Sequence, residues 1–159
     1  MQQEASQQRP LDVVMRLQAA INAHDLERLV ACFADGFVNE TPAHPDRGFR
    51  GADQVRRNWT QILAGVPDLS SRLVSSTVAG ETVWAEWDWS GTRRDGAPHR
   101  MRGVTITEVR SGLITGVRFF MEPMSVDGAG VDAAVRHTVS GDGHAGPSTG
   151  AVPVAGAIV

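Results

Sequence analysis

Glu40, His44 and His99 are the side chains of this chain best suited to moving a proton. Glu40 follows Phe37-Val38-Asn39 and precedes Thr41-Pro42. A carboxylate ringed by aromatic surface loses hydration, its pKa rises, and it can accept a proton from carbon near neutral pH. His44 or His99 would supply the complementary acid. A plainer reading stands beside this one, in which Glu40 pairs with Arg47 or Arg50 and the two histidines are simply solvated. The chain has no Tyr, so no phenol is available as an acid. Its single Cys, Cys32, lies in Leu29-Val30-Ala31-Cys32-Phe33, where a buried structural thiol is expected more than a nucleophile. The five histidines show no metal-ligand spacing, and one Cys cannot build a thiolate site. There is neither a glycine-rich phosphate loop nor a Gly-x-Ser-x-Gly elbow, so the expectation is chemistry without a cofactor.

The elements that must position these groups can be read from periodicity. Pro10 can open a first helix over about 11–23, with Leu11, Val14, Met15, Leu17 and Ile21 as its apolar stripe. Asn22-Ala23-His24-Asp25 breaks it, and Asp25 is a fitting N-cap for a second helix to about Ala34. Asp35-Gly36 ends that helix, Phe37 to Thr41 reads as a short strand, and 42–51 as a loop. A third helix spans about 52–64, with Val55, Trp59, Ile62 and Leu63 on one side. Strands follow over 69–79, 81–89, 102–110 and 113–122, the last two joined by a Ser111-Gly112 hairpin turn. Alternation puts Val83, Ala85, Trp87 and Trp89 on one face, and Trp84, Glu86 and Asp88 on the other. Helices followed by a meander of long strands predict an α+β domain, a curved, mainly antiparallel sheet folded over three helices.

The bulk numbers agree with one domain. The 159 residues suffice for a real core. A net charge of −3 gives no reason to expect nucleic acid or an anionic membrane as partner. All fifteen basic residues are Arg, which reads as genomic composition and not as chemistry. No apolar run approaches the roughly 20 residues of a membrane helix. With its lone Cys and a polar start, the chain is expected to be a soluble cytoplasmic protein. The boundaries are read as a flexible N-terminus over 1–10, the domain over 11–124, a short helix within 125–139, and a disordered tail over 140–159.

The order helix, helix, short strand, helix and four long strands resembles the nuclear transport factor 2-like superfamily. His24-Asp25-Leu26-Glu27 through Phe33-Ala34-Asp35 resembles its second helix, and Gly51-Ala52-Asp53-Gln54-Val55-Arg56 the start of its third. Trp87-Asp88-Trp89-Ser90-Gly91-Thr92 resembles a strand end of SnoaL-like polyketide cyclases, and Gly112-Leu113-Ile114 the turn into the final strand. The resemblance implies a cone-shaped fold with an interior cavity. Its wall would be Trp87 and Trp89 with Trp59, Met101, Thr105, Phe119 and Met121, which suits a flat hydrophobic or aromatic ligand. The same tryptophans would equally serve as core packing.

The resemblance also tests known activities. Leu17 stands where steroid isomerases carry a Tyr, and Thr105 near the Asp those isomerases and the cyclases use. Trp87-Asp88-Trp89 and Phe119 replace the acidic positions of limonene epoxide hydrolases. Only Glu40 keeps acidic character, near the isomerases' base. The resemblance thus implies either a cyclase- or isomerase-like acid/base enzyme on a small hydrophobic molecule, or a non-catalytic ligand-binding or dimerisation module. Glu86, Arg118 and Glu122 are placed on the outer sheet face as cross-strand ion pairs, the surface through which family members often form homodimers. Arg93, Arg94, Arg100 and Arg102, diluted by Asp95 and Glu108, read as a solvated edge.

Overall fold

Pro10 occupies the first turn of helix α1 (Pro10–Asn22), where its missing N–H costs nothing. In the computed structural model, which describes residues 9–125 and 128–140, α1 buries Val13, Val14, Leu17, Ala20 and Ile21. Met15 is exposed, so the stripe turns toward Val13 and Ala20. Asp25 caps α2 (Leu26–Val30), its carboxylate accepting from the Arg28 N–H at 3.0 Å. This helix stops well short of Ala34. Strand β1 (Phe33–Glu40) begins instead, because Ile114 N–H reaches Cys32 O and draws the chain into the sheet. Cys32 is buried as expected, but it lies in the connection after the helix. Between Pro42 and Gly51 the expected loop contains a 3-10 turn (Pro45–Arg47) and a two-residue strand, β2 (Phe49–Arg50).

Helix α3 (Ala52–Gly65) buries Val55, Trp59 and Ile62. The long strands are β3 (Ser70–Ala79), β4 (Thr82–Thr92), β5 (Pro98–Arg110) and β6 (Leu113–Pro123). They form one six-stranded sheet in the order β2-β1-β6-β5-β4-β3. Every pairing is antiparallel except β1 with β6, which is parallel. The β5–β6 connection is the Ser111-Gly112 turn, both residues with positive φ (51° and 75°), as a tight hairpin requires. The sheet is curved and unclosed, and α1 packs against β3, β4 and β5 while α3 packs against β1. The α+β architecture read from the sequence is therefore the architecture observed.

Gly103 permits the closest approach inside the sheet. Its φ is 149°, and a Cβ there would lie 2.7 Å from Met121 Cα and still nearer the Phe120 carbonyl. Any side chain at this position would push β5 and β6 apart beside Trp87, its partner in the β4–β5 ladder. The described residues 124–125 and 128–140 belong to a separate compact unit. Within it Val131–Ser140 form helix α4, which buries none of its residues. Among the described residues no helix is long and apolar enough to cross a membrane. Of the expected flexible start (1–10) and tail (140–159), residues 1–8 and 141–159 lie outside the described residues, while Pro10 and Ser140 are helical.

Candidate functional site

The inner face of β4 carries Val83, Ala85, Trp87 and Trp89, all buried, with Trp84 and Glu86 outward. Antiparallel register sets Trp89 opposite Met101 and Ser71, Trp87 opposite Gly103, and Ala85 opposite Thr105. Gly103 and Thr105 in turn face Met121 and Phe119 on β6. Trp59 comes from α3, its ring centroid 5.6 Å from that of Trp89, and Trp87 lies 6.4 Å from Trp89 on the other side. The seven residues expected to line the interior (Trp59, Trp87, Trp89, Met101, Thr105, Phe119 and Met121) are thus brought together and buried.

A short polar strip crosses this apolar wall. Trp87 Nε1 donates to Thr105 Oγ1 at 2.9 Å, and Thr107 Oγ1 lies 3.5 Å from the same oxygen. On β1, Asn39 Nδ2 donates to Thr41 Oγ1 at 3.3 Å. Among the described residues four buried side-chain polar atoms have no partner: Asn39 Oδ1, Ser71 Oγ, Trp59 Nε1 and Trp89 Nε1. Asn39, Thr41, Ser71 and Thr107 are interior groups that the sequence reading passed over. Phe37-x-Asn39-x-Thr41 carried the signal for two of them, because period-two alternation from buried Phe37 points residues 39 and 41 inward.

The same alternation corrects the expectation for Glu40. It points outward and is exposed, with Arg118 of β6 as its register partner on the outer face. The expected enclosure of Glu40 by aromatic surface is therefore not what the fold provides. His44 is also away from the inner face: its Nε2 lies 2.8 Å from Oε1 of Glu122, an exposed outer-face carboxylate. Neither Arg47 nor Arg50 makes an ion pair with Glu40 among the described residues. His99 fares differently. It is half-buried and opposes Gly91, one step along the inner face from the Trp89–Met101 pair. Burial first, and then the nearby Arg93 charge, lowers its pKa, which favours the neutral imidazole.

The outer-face charges pair in a row other than the one expected. Asp88 accepts from Arg72 at 2.8 Å and from Arg100 at 3.4 Å. Register continues from Asp88 to Arg102 and Glu122, where His44 ends the row. Arg72 above all, then Arg100, holds the Asp88 carboxyl below the usual carboxylate range. Glu86 faces Ser75 and Val104, so it has no cross-strand charge partner. Arg93 pairs with Asp95 and Arg94 donates to the Ala64 carbonyl, consistent with a solvated edge. A depression of about 440 Å³ lies elsewhere, lined by Arg16, Arg28, Ala31, Ser111, Gly112 and Leu113, and shares no residue with the inner face. Burial pushes the Cys32 thiol up in pKa, against the opposing effects of Arg16 and Arg28, which suits a structural thiol.

No curated protein matches the chain significantly. Solved structures do. IdmH of Streptomyces antibioticus, a candidate polyketide cyclase, is similar at 22% identity and a TM-score of 0.62, over 71% of this chain and 91% of that one. RV0760c of Mycobacterium tuberculosis, solved with estradiol-17β-hemisuccinate, is similar at 23% identity and a TM-score of 0.61, over 70% and 92%. A Catenulispora acidiphila protein of ketosteroid isomerase-like fold, solved with trimethylamine, gives 18% and 0.60, over 69% and 85%. These likenesses establish a nuclear transport factor 2-like fold. The family model described as a SnoaL-like domain matches residues 14–117, from the first buried turn of α1 to the inner-face Val117 of β6, and the chain belongs to that family.

Proposed function

We propose that the protein binds a small hydrophobic molecule against the inner sheet face, between Trp59, Trp87, Trp89 and the His99 end of β5. One observation carries this reading: every buried polar side chain among the described residues is neutral, while the wall around them is aromatic and thioether surface. Such a lining recognises a flat apolar molecule through contact area and a few hydrogen bonds. It offers no carboxylate to take a proton, which favours binding over the acid/base chemistry expected at Glu40. The complex of RV0760c with estradiol-17β-hemisuccinate supports the size class of the ligand. Tryptophan fluorescence and thermal shift against naphthalene-, anthracene- and steroid-sized compounds test the reading. Trp87→Ala should weaken binding, and Glu40→Gln should leave it unchanged. If no member of that panel bound below millimolar concentration, or if only Glu40→Gln mattered, the site would be wrong.

A catalytic reading is favoured by one group only. His99 shares the inner-face phase with Trp89 and Met101, and its lowered pKa keeps a free imidazole lone pair available near neutral pH. We further propose that the protein is a homodimer through the outer sheet face. Trp84, Phe120, Val104 and Ile106 occupy adjacent rows there and form one apolar patch, Trp84 and Phe120 being 45% and 39% exposed.

A further inference from the structure

Trp89 and Ser71 on the inner sheet face, and Trp59 of α3 packed against Trp89, each hold a buried polar atom without a partner among the described residues. Ser71 stands directly opposite Trp89 in the β3–β4 ladder. The Trp59 and Trp89 rings are 5.6 Å apart at 57°. Buried indole N–H groups ordinarily find an acceptor, because leaving one dry forfeits its hydration with nothing in return. Trp87 obeys that rule through Thr105 Oγ1. Its two neighbours in the same cluster do not, and the nearest inner-face partner of Trp89 on β5 is Met101, whose sulfur is at best a weak acceptor.

We infer that Trp59 Nε1, Trp89 Nε1 and Ser71 Oγ form the polar anchor of the ligand site, and that the ligand presents an oxygen acceptor there: a ketone, quinone or similar carbonyl on a flat apolar ring. Two indoles can only donate, and a serine hydroxyl can donate as well, so the three groups together match an acceptor and oppose a donor-only group such as an amine. Each donor is neutral, so the match is to a carbonyl dipole more than to a full anionic charge. The inference rests on the binding reading above and sharpens it from a size class to a functional group. It also assigns different work to the four tryptophans: Trp59 and Trp89 recognise oxygen, Trp87 stiffens the wall, and Trp84 faces outward.

The test compares 2-acetylnaphthalene with 2-ethylnaphthalene, near-isosteres that differ by one carbonyl. The ketone should bind about tenfold or more tightly, the scale of one or two net hydrogen bonds. In a ¹H–¹⁵N spectrum the indole signals of Trp59 and Trp89 should move downfield with the ketone and less with the hydrocarbon. Those of Trp84 and Trp87 should stay nearly still. Trp89→Phe and Ser71→Ala should each lower affinity for the ketone more than affinity for the hydrocarbon, so that the ketone preference shrinks. The spectrum of the unaltered protein decides the matter even where a variant folds poorly. Equal affinity for the two compounds, or shifts confined to Trp87, would overturn the anchor and leave the binding reading standing. Binding of neither compound would remove both.

Discussion

Trp87 Nε1 donates to Thr105 Oγ1 at 2.9 Å, tying β4 to β5 along a diagonal of the inner face, since the direct partners are Trp87 with Gly103 and Ala85 with Thr105. Both side chains are buried, so the bond satisfies an indole donor that water cannot reach. Thr105 stands near the place where the family resemblance puts an Asp in other members. Here its hydroxyl accepts from a tryptophan and links β4 to β5.

Thr105→Val should therefore destabilise the fold by about 1–3 kcal/mol, the cost of stranding a buried donor while keeping side-chain volume. Thr105→Ser keeps the acceptor and loses only a methyl, so its loss should be near 1 kcal/mol. Urea denaturation of the three proteins measures this. Equal midpoints for the valine variant and the unaltered protein would show that the bond contributes nothing.

Much of this arrangement was legible in the sequence, and the reason lies in β4. Seven residues of strict alternation, Val83 to Trp89, leave only one way to bury three large apolar groups on one face. The Ser111-Gly112 turn then fixes the β5–β6 register and with it the rows through Thr105 and Phe119. β1 was harder. Phe37, Val38 and Glu40 offered two phases, and a carboxylate just before Thr41-Pro42 favoured the one that would turn Glu40 inward. Cys32 misled in a related way, because Leu29-Val30-Ala31-Cys32-Phe33 suits a helix until the parallel pairing with β6 pulls residue 33 into the sheet. The unpaired state of Trp59, Trp89 and Ser71 has no sequence signature. It depends on where three elements distant in the chain bring their polar atoms.

The outer face predicts association. Trp84 and Phe120 would remain wet in a monomer, beside the row of charges through Asp88, Arg102 and Glu122 that would rim an interface. Sedimentation at micromolar concentration should give about twice the 17.0 kDa chain mass. Trp84→Glu should shift the protein to the single-chain mass without unfolding it, because the residue lies on the outer face and is 45% exposed. A clean monomer before substitution would reject the dimer.

His99 gives the fold a dependence on pH of definite sign. Its ordinary pKa is about 6.5 in an unfolded chain, and in the folded protein burial and Arg93 lower it. Above the unfolded value both states are neutral, and His99 adds nothing to pH dependence. As pH falls through that value the unfolded chain takes up a proton that the folded protein resists, so stability declines. The decline levels off below the lowered native pKa, where both states are protonated. His99→Gln removes this segment of the curve while retaining a hydrogen-bonding side chain of similar reach. Stabilities measured by denaturation from about pH 8 to about pH 5 should therefore differ between the two proteins by an amount that grows as pH drops, in favour of the glutamine variant. The other histidines and the carboxylates are common to both proteins and cancel in the difference. A difference curve that stayed flat would show that His99 is hydrated in solution, and it would remove the catalytic reading with it, because a hydrated imidazole at the rim has no privileged access to a ligand held by Trp59 and Trp89.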